Sequence, residues 1–92
     1  MNEDTVLRPA SDVRFRIVDG EAVVVRQKSS EILVMSEVGA RILALADGIR
    51  PIGAWVDTLA GEFEVDRAAL EQDVLRFAAE LADDGILEIA ER

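Results

Sequence analysis

Along VRFRIV, apolar residues alternate with arginine: Val13, Phe15 and Ile17 fall on one side, Arg14 and Arg16 on the other. A period of two is the pattern of a strand with one buried face. Asp19-Gly20 follows, a dipeptide that tolerates the positive φ of a two-residue turn, so the strand is expected to fold back as a hairpin. With Val18 opposite Glu21, Ile17 faces Ala22 and Phe15 faces Val24, which leaves Val23 and Val25 on the side of Arg14 and Arg16. The polar RQKSS makes a second turn, and EILVM, residues 31 to 35, a third strand. This third strand is apolar on both faces, with Ile32 and Val34 opposing Leu33 and Met35. A meander leaves it at a sheet edge, where such a strand is an association hazard unless something covers it.

After Ser36 the period changes. Ser36 can cap a first helix whose apolar positions are Val38, Ile42 and Leu45, and Gly48 offers a left-handed stop. Pro51 suits the first turn of a second helix striped by Ile52, Val56, Leu59 and Phe63. Asp66 caps a third, striped by Leu70, Val74, Phe77 and Leu81 and ending near Gly85. ILEIA at the end reads as a short strand or an arm, and the polar start, closing in Arg-Pro, as a flexible N-terminal arm over residues 1 to 11. Each helical stripe can bury one side, so the economical arrangement is α+β, ordered βββααα, with three helices against one face of a three-stranded antiparallel sheet. Trp55 lies beside its stripe, which suits a ring capping the core edge better than an interaction anchor.

Composition narrows the chemistry. Ninety-two residues make one small domain, spanning residues 12 to 92 once the arm is set aside. There is no Cys and no His, and Lys28 is the sole lysine, so imidazole acid/base chemistry, thiolate metal sites and disulfides are excluded, and a nucleophile would lack its base. The acidic pairs Asp83-Asp84 and Glu62/Glu64 read as solvated rather than as a metal site, and no Gly-rich loop has phosphate-cradling spacing. No catalytic residue, metal or cofactor is expected. Ten Lys/Arg against nineteen Asp/Glu give a formal charge of −9, which repels nucleic acid. Basic residues favour the first half of the chain, an asymmetry that marks either a solvated surface or a face for an acidic partner. Neither a signal peptide nor an apolar run of membrane-spanning length is present, so a cytoplasmic chain with no membrane contact is expected. Asp73, Arg76 and Glu80 flank the third stripe; taken alone they are surface charges, but they would line any groove between that helix and an adjacent strand.

MSEVGARILALADG, then FEVDRAALEQDVLRFAAELADDGIL, resembles the PqqD family of small recognition elements for ribosomally made, post-translationally modified peptides. The similarity runs over roughly residues 12 to 88. It rests on Val38-Gly39-Ala40 with Ile42, on Asp47-Gly48, and on Asp73-Val74 with Phe77, Leu81 and Gly85-Ile86-Leu87. Ser36 stands where the family commonly has Asn.

The resemblance implies a winged-helix-like fold and a non-catalytic task. A member binds the leader segment of a precursor peptide and presents it to a modifying enzyme, often a radical S-adenosylmethionine protein. The leader lies as an added strand in a groove closed by the third helix. Carried over to this chain, the edge is Ile32, Leu33, Val34 and Met35, and the helix wall is Asp73, Val74, Arg76, Phe77, Glu80 and Leu81. An added strand gains main-chain hydrogen bonds, and alternate side chains entering the groove give selectivity. The competing readings are a structural subunit that pairs with itself through the same edge, a homodimer, and a winged-helix nucleic-acid binder, which the acidic charge disfavours.

Overall fold

The computed structural model describes residues 1–90; Glu91 and Arg92, the last two residues of the expected domain, lie outside the described residues. The element order is β1 (Leu7–Pro9), β2 (Val13–Val18), β3 (Glu21–Arg26), β4 (Glu31–Met35), α1 (Glu37–Leu45), α2 (Ile52–Phe63), α3 (Arg67–Asp83) and β5 (Leu87–Ile89). The alternating segments form an antiparallel sheet in the order β2-β3-β4. Its register is the expected one: Val18 pairs with Glu21, Ile17 with Ala22 and Phe15 with Val24. Asp19 and Gly20 both take positive φ, 52° and 83°, which lets a two-residue turn follow the twist of the strands.

The N-terminal segment is not a loose arm. Leu7–Pro9 is a strand that pairs antiparallel with β5, Leu7 opposite Ile89 and Pro9 opposite Leu87. Val6 and Leu7 are buried, and the Leu7 carbonyl accepts the Gly48 N–H at 3.0 Å, tying the loop after α1 to this second sheet. An apolar pair flanked by polar residues is too short to show a period. It folds as a strand because β5, eighty residues away in the chain, supplies its hydrogen-bond partners. The closing segment, strand or arm by sequence, is thereby settled as a strand.

The helices divide their packing rather than all covering the sheet. α1 packs on β3 and β4, α2 against α3, and α3 against β5. The core joins Ala22 and Val24 of the sheet to Ile42 and Leu43 of α1, Ile52 and Leu59 of α2, Val74 and Leu81 of α3, and Leu7 and Leu87 of the small sheet. Trp55 is fully buried in this core rather than at its edge. Its position beside the stripe becomes interior because α2 is covered from two directions, by α3 and by the N-terminal segment, whose Glu3 and Thr5 carbonyls accept the Gly53 and Ile52 N–H groups. Asp66 caps α3 through a hydrogen bond accepted from the Ala69 N–H, whereas Ser36 occupies the N-cap of α1 without a side-chain bond. Among the described residues no helix is long and apolar enough to cross a membrane.

Two surface contacts set the acid response. Asp47 accepts the N–H groups of Arg50 and Ile49, both at 2.9 Å, and these bonds hold its carboxyl below the usual range. Glu62 is lowered in the same sense by its bidentate hydrogen bond from Arg41. A carboxyl with a depressed folded pKa contributes stability above its unfolded pKa, and this is lost as pH falls through the folded value. Urea unfolding should therefore show decreasing stability from about pH 5 downward, and Asp47→Asn should flatten part of that slope. Leu7→Ala should cost about 2–5 kcal/mol in the same assay, the range for a fully buried Leu. A loose arm would give no change.

Candidate functional site

Among the described residues β4 pairs with β3 alone, so its other edge keeps unpaired backbone groups. The register with β3 sorts its side chains: Leu33 and Met35 oppose Val24 and Ala22, whose side chains are buried, and turn inward, while Ile32 and Val34 oppose Val25 and Val23 and turn outward. Ile32 is 67% and Val34 64% exposed. The edge expected from sequence therefore divides into two inward residues packed on the core and two outward ones on the far face of the sheet.

The helix wall divides as well. An open groove of about 180 Å³ runs between α1 and α3, lined by Val38 and Ile42 on one side and Leu70, Asp73, Val74 and Phe77 on the other. Asp73, Val74 and Phe77 of the expected wall thus line one groove. Arg76 is exposed and hydrogen-bonds to Asp73 at 2.8 Å, Glu80 is exposed, and Leu81 is buried in the core. Leu81 belongs to the scaffold: it lies one turn beyond Phe77 on the same face of α3, a helix that packs against β5. Val38, Ile42 and Leu70 were legible as helix stripes but not as groove residues. The one available signal was Val38, an apolar residue two positions after the cap; it stays 41% exposed.

Gly39 brings edge and wall together. A β-carbon at this position would lie 3.0 Å from Met35 Cβ and 3.3 Å from the Phe77 ring, so the absence of a side chain lets the end of β4, the first turn of α1 and the middle of α3 converge. This arrangement offers a peptide an unpaired strand edge and an adjacent apolar slot with a carboxylate at its rim. Among the described residues no cluster of His, Cys, Asp or Glu could hold a metal ion.

The family model for coenzyme PQQ synthesis protein D (PqqD) matches residues 21–87, from β3 to the start of β5. This chain belongs to the PqqD family. A PqqA binding protein of Rhodopseudomonas palustris (strain HaA2) is 39% identical over 56 residues, a match that covers 61% of this chain and 55% of the relative. The chain thus spans about half the length of the R. palustris relatives it matches. A PqqA binding protein of Gluconobacter oxydans (strain 621H) is 32% identical over 85 residues, with 92% and 88% covered. Among solved structures, TbiB1 in complex with the TbiA(beta) leader peptide superposes with a TM-score of 0.81 at 27% identity, over 88% of this chain and 94% of that one. Lasso peptide synthetase B1 complexed with its leader peptide superposes with a TM-score of 0.79 over 89% and 96%, and at 20% identity it bears on the fold alone. The PqqD match takes in β4, Gly39 and the groove-lining part of α3, and leaves β1 and β2 outside it.

Gly39→Ala tests the convergence. Alanine favours a helix over glycine by about 1 kcal/mol, but the nearest atom is a Met35 β-carbon, which cannot swing aside, and overpacking costs about 1–3 kcal/mol. A net loss of stability is expected in thermal unfolding. Gly61→Ala, in α2 with open space around it, should stabilise by about 0.5–1 kcal/mol.

Proposed function

We propose that this chain is a non-catalytic adaptor that binds the leader segment of a ribosomally made precursor peptide and presents it to a peptide-modifying enzyme. The observation that carries this reading is the unpaired edge of β4 beside the apolar slot between α1 and α3. A leader added antiparallel or parallel to β4 would use the free main-chain groups for affinity and place alternate side chains against Val38, Phe77 and Leu70 for selectivity. The leader-peptide complex of TbiB1 among its structural neighbours and the naming of its relatives as PqqA binding proteins support the same role. The site residues are Ile32, Leu33, Val34 and Met35 at the edge and Asp73, Val74 and Phe77 in the groove, with Arg76 and Glu80 at the rim and Leu81 behind it.

The lack of His and Cys supports an adaptor rather than an enzyme, and the charge of −9 disfavours a nucleic-acid partner. The adaptor works in the cytoplasm, where a ribosomal peptide is made, and its modifying enzyme is of the radical S-adenosylmethionine class that the family resemblance implies. We propose that the arrangement is winged-helix-like, a reading that three helices following an antiparallel β2-β3-β4 sheet support. A homodimer formed through β4 is the second reading, favoured by the exposure of Ile32 and Val34 on that edge strand.

Titration of the labelled protein with a synthetic PqqA leader peptide should give a micromolar or tighter Kd. Amide shifts should fall on residues 31–35 and 70–81. Val38→Asp, a half-exposed position, should keep the fold and weaken binding by about tenfold or more, since a charge would be carried into the slot. Ile42→Asp should unfold the domain. Shifts confined to α2 and the β2–β3 hairpin would show that the groove is not the site. Dimer dissociation without peptide binding would favour the second reading.

A further inference from the structure

The sheet has two faces, and α1 packs on only one of them. On the other, Val23 and Val25 of β3 lie between Arg14 and Arg16 of β2 and Ile32 and Val34 of β4. Arg14, Arg16, Val23 and Val25, with Phe15, line a shallow depression of about 170 Å³. Aliphatic side chains left in solvent across a whole sheet face mark an interaction surface when polar groups border them.

The charge on this face is out of keeping with the rest of the molecule. Among the described residues Arg8, Arg26, Arg41, Arg50, Arg67 and Arg76 each pair with a carboxylate. Among the described residues Arg14 and Arg16 have no carboxylate partner, although the chain carries −9. The carbonyls of Ser11 and Val13 accept hydrogen bonds from Arg14 Nη1 at 3.0 and 2.9 Å, which fixes the guanidinium without neutralising it. Glu21, opposite Val18 at the hairpin end of the same face, is the one carboxylate placed there, and it pairs with neither arginine.

Area decides what kind of partner this suits. Three strands about 4.8 Å apart and five or six residues long at about 3.4 Å per residue give a footprint of roughly 250 Å², well below the roughly 800 Å² per partner of a stable complex. A second copy is also opposed by its own charge of −9. A small basic and aliphatic face fits a transient contact, steered by carboxylates on the other side.

We infer that the outer face of the β2-β3-β4 sheet docks a partner protein whose surface presents carboxylates around aliphatic side chains. Resting on the adaptor reading, that partner is the peptide-modifying enzyme. It takes the chain from the side opposite α1, with Arg14 and Arg16 as its charge contacts and Val23 and Val25 as its apolar ones. The leader then lies along the β4 edge and the enzyme on the outer face at β2 and β3, the two adjoining at Ile32 and Val34.

The test uses the full chain with the synthetic leader bound, titrated with the purified radical S-adenosylmethionine enzyme of the same pathway. Amides of residues 14–16 and 23–25 should shift. R14E/R16E should lower enzyme affinity by about tenfold or more at low salt and reduce its salt dependence, while the leader Kd stays within about twofold and the melting temperature is kept. Equal enzyme affinity for R14E/R16E and the parent chain overturns the docking face. So do shifts at these amides produced by the chain's own concentration, or by vesicles containing phosphatidylglycerol in place of the enzyme. If the leader fails to bind the unaltered chain in calorimetry, the adaptor reading itself falls; leader binding with an unaffected R14E/R16E overturns the docking face alone.

Discussion

The rest of the architecture is arranged around one close approach, at Gly39. There Met35 Cβ at the end of β4 and the ring of Phe77 on α3 lie 3.0 and 3.3 Å from where a β-carbon on the first turn of α1 would stand. Protein interiors tolerate little extra volume, so a side chain at this point would push α3 away from the sheet or tilt α1 off it. The slot between Val38 and Phe77 owes its width to that contact. An edge strand and a helix wall become one site because a glycine allows them to meet.

A second constraint is the exposed edge itself. A strand with apolar residues on both faces and only one neighbour is a template for unwanted pairing. Here the inward residues, Leu33 and Met35, are drawn into the core, and the outward ones remain in solvent. Net charge does part of the protection: copies carrying −9 repel one another, and the acidic residues concentrated after Asp57 keep the helical side hydrated. Arg14 and Arg16 interrupt the same field on the sheet's outer face. Attraction and repulsion are thus sorted by surface.

The long-range closure of the chain gives this small domain its rigidity. β1 and β5 join the two ends, and Arg67 holds the N-terminal segment through Glu3 while also bonding to Asp57 of α2. Side chains this exposed contribute little singly, but they act at a seam already fixed by the buried Leu7 and Leu87. Trp55 is enclosed by this closure, which is why an amphipathic ring sits wholly inside.

Local pattern alone determined the hairpin, its register and turn, the third strand, the three helices and the cap at Asp66, since each depends on neighbours within a few residues. The edge at Ile32–Met35 was equally legible, and so were Asp73, Val74 and Phe77 as one helix face. Tertiary structure decided the rest. Leu7–Pro9 needed a partner some eighty residues away, Leu81 became core because the helix that carries it packs against β5, and Val38, Ile42 and Leu70 became a slot only when α1 and α3 were set side by side. Periodicity states which side of an element is buried; which elements face each other, and how closely, is fixed by packing at positions such as Gly39, where the sequence shows only that a side chain is missing.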